Sequence, residues 1–252
     1  GIYALKTRGS DCNQMDCQTD SPGGNRYGIA NHSVTKSRTR NSTFRDRRGA
    51  YHGYGCTDYI FEDSTIGSSG DSPQNFNGID VDHGMWGYGI TCRRLTNWLS
   101  AFDCGNGSWR GWPTDVLIED IQCRDNSIGG AVLMGGDQIT IRRVKGIVGS
   151  GLNHPTLGFL GHSAGSTIPT AVQLVQNVTV EDCDLHGHQW VSNSGDGFAV
   201  GTGILFDSNR IGVGNATGVM ELALKNSLSA EIEFRNNVIA TARTSGGPFI
   251  VG

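Results

Sequence analysis

The sequence is short of charge and free of long apolar runs, and each shortage closes off a class of protein. Charged residues make up 17% of the 252-residue chain, against a usual share of ~25%. The 20 Lys+Arg and 24 Asp+Glu leave a net charge of −4. Such a chain casts no strong positive field toward phosphates. Even with the locally basic stretch from Lys36 to Arg48, nucleic acid is not the expected partner. No segment approaches the ~18 consecutive apolar residues of a membrane span, so no membrane partner is expected either. At 37% hydrophobic residues, the chain is too apolar to stay disordered. Seven cysteines (Cys12, Cys17, Cys56, Cys92, Cys104, Cys123 and Cys183) are an odd number spread over a long chain, which argues against a disulfide framework. The chain opens on Gly1 without an initiator Met, so it is expected to be a segment of a longer chain that forms one domain over residues 1–252.

What the sequence has in plenty is glycine, 38 residues, and a repeat. Thr57-Asp-Tyr-Ile-Phe-Glu-Asp63, Thr114-Asp-Val-Leu-Ile-Glu-Asp120, Gly136-Asp-Gln-Ile-Thr-Ile-Arg-Arg143, Gln176-Asn-Val-Thr-Val-Glu-Asp182, Thr202-Gly-Ile-Leu-Phe-Asp-Ser208 and Ala230-Glu-Ile-Glu-Phe-Arg-Asn236 share one template. It reads polar, apolar, any, apolar, charged, polar. Tyr88-Gly-Ile-Thr-Cys-Arg-Arg94 fits it, and Asn41-Ser-Thr-Phe-Arg-Asp46 fits more weakly. The central apolar residues are Phe44, Phe61, Cys92, Ile118, Ile141, Val180, Phe206 and Phe234, spaced by 17 to 39 residues with a mean of about 27. That is short for a βαβ unit, and the intervals hold Gly, Asn, Ser and Asp where a helix would show a 3.6-residue apolar stripe. A second short apolar strand precedes most templates, at Gly78–Asp82, Ala131–Met134, Ala171–Leu174, Phe198–Val200 and Val219–Leu224. The same kind of strand occurs at Ile2–Lys6 and Phe249–Val251. A third apolar position follows the anchor by five residues at Ile66, Cys123, Leu185, Ile211 and Ile239. Three strands per repeat without helices predict an all-β fold, a parallel β-helix of about nine rungs.

The residue after each anchor reads Arg45, Glu62, Arg93, Glu119, Arg142, Glu181, Asp207 and Arg235. The signs alternate until Glu181 and Asp207, and stacked rungs would set them beside one another as a structural ladder. The apolar columns would fill the bore, with Cys92, Cys123 and Cys183 acting there as small hydrophobes.

Template and turn-rich rungs together resemble the right-handed parallel β-helix superfamily, the pectate-lyase-like group, over nearly the whole chain. The resemblance implies glycan chemistry: pectate and alginate lyases, polygalacturonase-like hydrolases, mannuronan epimerases and the trimeric tailspike depolymerases of phages belong to it. It further implies an extracellular or virion-surface protein with a polysaccharide as partner, working as a homotrimer or larger assembly. Both ends of the chain read as rung strands, which would leave core and strand edges bare without such an assembly. The alternative outside enzymology is a noncatalytic adhesin or virion rod.

The best candidate site is Gly78-Ile-Asp-Val-Asp-His-Gly84. With Ile79 and Val81 turned inward, Asp80 and Asp82 would both face out, ~6.6 Å apart along the strand. That is the lower edge of the separation an inverting glycosidase needs for acid, base and water. His83 adds a group that titrates near neutrality. Tyr51 and His52 in Gly49-Ala-Tyr-His-Gly53 and Asp103 in Ser100-Ala-Phe-Asp-Cys104 would join them if those strands stack on the Asp80 strand. The segment also resembles the Tyr-Gly-Phe-Asp-Pro-His motif of mannuronan epimerases, but Asn77 stands for the Tyr, Pro is absent and Asp82 is extra. The competing structural account is an Asp-rich turn or a Ca2+ clamp; hydrolysis itself requires no cofactor. Trp86, Tyr88, Trp98, Trp109 and Trp112 gather between residues 86 and 112, with Trp86, Tyr88, Trp109 and Trp112 as candidate sugar-stacking residues beside Tyr51. His186-Gly-His188, His154 and His162 lack a completing Cys or carboxylate for a metal. The interval Gly146–Thr170 is long enough to leave the helix as a loop.

Overall fold

The computed structural model describes the backbone of residues 2–5, 12–15, 18–19, 27–32, 35–44, 48–53, 57–66, 79–81, 88–97, 102–104, 114–123, 131–133, 136–145, 157–160, 162–163, 172–185, 189–192, 199–200, 202–211, 220–223 and 231–239. Side chains are described at 35–36, 38–43, 57–65, 89–96, 114–122, 136–145, 176–185, 202–211 and 231–238.

These residues are all-β and contain no helix. Apart from His162–Ser163, which pairs antiparallel with Val172 and Gln173, the strands belong to parallel sheets visited in turn. A first sheet runs Ile2–Leu5, Tyr27–His32, Arg48–Gly53, Ile79–Val81, Phe102–Cys104, Ala131–Leu133, Leu157–Leu160, Gln189–Ser192 and Met220–Ala223 in spatial order. A second runs Cys12–Met15, Ser37–Arg40, Thr57–Ile66, Tyr88–Asn97, Thr114–Cys123, Gly136–Arg142, Val172–Glu181, Ile204–Asp207 and Ile232–Arg235. A short third sheet stacks Asp184–Leu185, Arg210–Ile211 and Val238–Ile239. Sequence order and spatial order coincide, so each strand pairs with its counterpart one repeat away. This is the connectivity a parallel β-helix requires.

Sharp corners in the second sheet come from residues with positive φ, set five positions apart in each repeat. Asp58 and Asp63, Gly89 and Arg94, Asp115 and Asp120, Gln138 and Arg143, Asn177 and Asp182, and Gly203 and Ser208 are such pairs. Lys36 and Asn41 mark the same two corners at the start. Asp and Asn tolerate this conformation because their short polar side chains bond locally. At Gly203 (φ +74°) a Cβ would meet Asn177 Oδ1 at 2.6 Å, which is why glycine stands there. The corner N–H groups are not orphaned: Asp182 N donates to Asp207 O at 3.2 Å and Ser208 N to Arg235 O at 3.0 Å.

Between the corners, inward residues form two buried columns. One is Tyr59, Ile90, Val116, Ile139, Val178 and Ile204; the other is Phe61, Cys92, Ile118, Ile141, Val180 and Phe206. Phe234 ends the second column half-buried, its ring stacked on Phe206 at 5.0 Å. The thiols of Cys92 and Cys183 are free and buried, and burial raises both above the usual thiol range. They serve as packing, as expected.

Four expectations need correction. Phe44 is not an anchor: Thr39 pairs with Phe61, and Phe44 pairs with Ile66 in the third position. The charge ladder accordingly begins at Arg40, which pairs with Glu62, and not at Arg45. Val172 to Leu174 and Ala199–Val200 belong to the second sheet. The first-sheet strands of those repeats are Leu157–Leu160, inside the interval expected to be a loop, and Gln189–Ser192.

Candidate functional site

Three consecutive strands of the first sheet bring together the residues that sequence singled out. Tyr51 in Arg48–Gly53 pairs with Asp80 in Ile79–Val81, and Asp80 pairs with Asp103 in Phe102–Cys104. The three therefore hold one register position on neighbouring parallel strands, ~4.8 Å apart from strand to strand. Period-two alternation puts all three on one face of the sheet. The positions on either side are mostly apolar, with Ala50, Ile79 and Phe102 before them and Val81 and Cys104 after. His52 sits one residue beyond Tyr51, paired with Asn31, so it occupies the alternate position and not the one shared by the carboxylates. Tyr88 heads the second-sheet strand Tyr88–Asn97, paired with Thr57 and Thr114, and does not share a sheet with Asp80. Asp82, His83, Trp86, Trp98, Trp109 and Trp112 lie outside the described residues, as do His154, His186 and His188. His162 pairs antiparallel with Gln173. Among the described residues no group of three His, Cys, Asp or Glu is placed to hold a metal ion.

The same register position continues past Asp103 as Val132, Gly158, Trp190 and Glu221. Trp190 was not found from sequence because its strand, Gln189-Trp-Val-Ser192, is too short and polar to stand out beside the His186-Gly-His188 pair. Its one usable signal is the alternation Trp190, Ser192 against Val191.

The most heavily charged region described is on the second sheet, and its arrangement is that of a framework. Acidic pairs Glu62-Asp63, Glu119-Asp120 and Glu181-Asp182 alternate with Arg93-Arg94 and Arg142-Arg143 on successive strands. Glu62 accepts from Arg38, from Arg93 Nε at 2.8 Å and from Arg94 Nη2 at 2.8 Å. Burial alone would raise its carboxyl pKa, but the three guanidinium groups outweigh that and hold it below the ordinary carboxylate range. Arg94 also grips Asp63 through two bonds of 2.6 and 2.8 Å, and Arg143 grips Asp120 through two of 2.7 and 3.0 Å. Hydrogen bonding to those arginines lowers both Asp pKa values. Glu62, Asp63, Glu119 and Asp120 are each engaged by arginine from an adjacent strand, so this part of the second sheet is a framework of paired charges.

Comparison of the chain with protein-family models, with curated proteins and with solved structures gives no match.

Proposed function

We propose that the protein is a right-handed parallel β-helix of about nine rungs that binds and hydrolyses a polysaccharide, with Asp80 at the centre of the reaction. The observation that carries this reading is the shared register of Tyr51, Asp80 and Asp103. Like charges stacked on neighbouring strands are destabilising. A fold that keeps two such carboxylates among mostly apolar neighbours gains something other than stability from them. As a pair of unlike protonation, one protonates the glycosidic oxygen while the other takes a proton from water, or attacks the anomeric carbon directly.

Backbone spacing separates these two chemistries. An extended backbone continued from Val81 would set Asp82 ~6.6 Å from Asp80, the regime of inversion, whereas Asp80 and Asp103 occupy paired positions ~4.8 Å apart across strands, nearer that of retention. The anomeric configuration of the first product, read by NMR, identifies the partner of Asp80. Retention assigns Asp103, and inversion assigns Asp82. Asp80→Asn should lower kcat by at least about a hundredfold with the melting temperature nearly unchanged. Full activity in Asp80→Asn overturns the proposal, and loss of stability instead makes the carboxylates a structural clamp. His83 and His52 are next in line as proton carriers, and Trp86, Trp109 and Trp112 as sugar contacts.

A lyase or epimerase reading draws on Tyr51 beside Asp80. There the Tyr51 phenolate, or His83, removes the proton next to a uronate carboxylate, which an Arg or a Ca2+ bound by the Asp pair would neutralise. Elimination of the glycosidic oxygen leaves an unsaturated uronate absorbing near 235 nm, so absorbance against reducing-end release separates lyase from hydrolase. Silence in both assays supports the adhesin or virion rod. By the same reading the protein acts outside the cell or on a virion surface as a homotrimer or larger assembly, and a stable monomer in light scattering would count against that part.

A further inference from the structure

We propose that Trp190 is a distal sugar-binding platform in line with the acid pair, and that the glycan lying across the strands between them is neutral. The inference rests on the reading of Asp80 and Asp103 as reacting groups. Tyr51, Asp80, Asp103, Val132, Gly158, Trp190 and Glu221 follow one another at a single register position over seven neighbouring strands. The chain direction is the same in all of them, so by the period-two alternation of strand positions residue 190 falls at a position of the same face as residues 80 and 103. Three strand spacings separate it from Asp103, or ~14 Å.

The repeat of an extended pyranose chain is close to one strand spacing. A polymer laid across the strands with its reacting bond at Asp80 and Asp103 therefore reaches Trp190 three to four sugars later. In between, Val132 and Gly158 hold the same register position and neither is charged. An indole at the far end offers a flat apolar surface for the C–H face of a sugar ring. The charged members of the position, Asp80, Asp103 and Glu221, are all acidic, and at this register position no described strand places Lys or Arg. A polyuronate would meet like charge at both ends of this path, at Asp80 and Asp103 and again at Glu221, and a neutral pyranose polymer would not.

The test uses the full chain with dimers through octamers of a β-glucan, a mannan and dextran, and of polygalacturonate and alginate. For the wild type, kcat/KM on a neutral series should climb with length until the oligomer spans from Asp103 to Trp190. In Trp190→Ala that climb should disappear. Octamers should lose up to about tenfold in kcat/KM, mostly through KM, while the shortest cleaved oligomers are unaffected. Trp190→Phe should fall between, and it serves as the reading if the Ala variant does not fold. Unchanged length dependence in both variants overturns the platform while leaving the acid pair standing. Cleavage confined to the uronate series overturns the neutral substrate. Failure of the wild type to cleave or bind any series overturns the proposed function and this inference together.

Discussion

Asn209 shows how a polar residue survives in the interior of this chain. It is 1% exposed, yet its Nδ2 donates to Val180 O at 2.9 Å and to Asn237 Oδ1 at 3.0 Å, while its Oδ1 accepts from Cys183 N at 2.9 Å. Asn237 repeats the motif one strand on, its Nδ2 donating to Phe206 O at 2.9 Å. The side chain thus does for the corner backbone what a sheet ladder does elsewhere. Asn209→Ala would strand the Cys183 N–H away from water, at a cost of about 1–3 kcal/mol for the buried group left unpaired. Urea unfolding should therefore show a lower midpoint, with a slope like that of the wild type if the fold is kept. Ser42 and Ser64 play the corresponding part at the other end, where Ser42 N donates to Ser64 Oγ at 3.1 Å.

At the scale of the strand, the column through Phe61, Ile118, Ile141, Val180 and Phe206 is the element on which the stacking depends. Ile141 is fully enclosed, flanked in register by Ile118 and Val180. Ile141→Ala should cost about 2–5 kcal/mol. Ile141→Asp should prevent folding, since its charge would find neither water nor partner; far-UV circular dichroism and solubility would report it. This column was legible in sequence because its apolar pairs are two residues apart and bounded at the corners by polar residues or glycine. Legibility failed at Thr39, which holds an inward place as a buried polar residue accepting a bond from Tyr59 OH at 2.9 Å, so an apolar template passed over it and chose Phe44. The first sheet was harder to read. Its strands are short, and the intervals between them vary with the connections, so nothing in sequence fixes that Asp103 aligns with Asp80. Asp80 stood out in sequence by its apolar setting, and Tyr51 and Asp103 were named beside it on the condition that their strands stack, which the register of the first sheet supplies.

Over the whole molecule, stability should depend on acid. Glu62, Asp63 and Asp120 have carboxyls held below their ordinary range by arginine, with burial acting against this at each. The unfolded chain takes up these protons at a higher pH than the folded one. Their contribution is therefore complete above the unfolded values of ~4 and is lost as pH falls through the lower folded values. Urea midpoints should be level from neutrality to about pH 5 and decline below it, and added salt should flatten the decline by screening the half-exposed arginines. A rise in stability between pH 5 and 3 would contradict this account. The alternation of Glu-Asp with Arg-Arg also bears on how such a chain can grow. Duplicating a single repeat would set like against like at the new joint, whereas copying repeats two at a time preserves every attraction, so lengthening by pairs meets no electrostatic obstacle. The one place where the alternation breaks, Glu181 beside Asp207, has the form that an odd-numbered insertion or loss would leave behind.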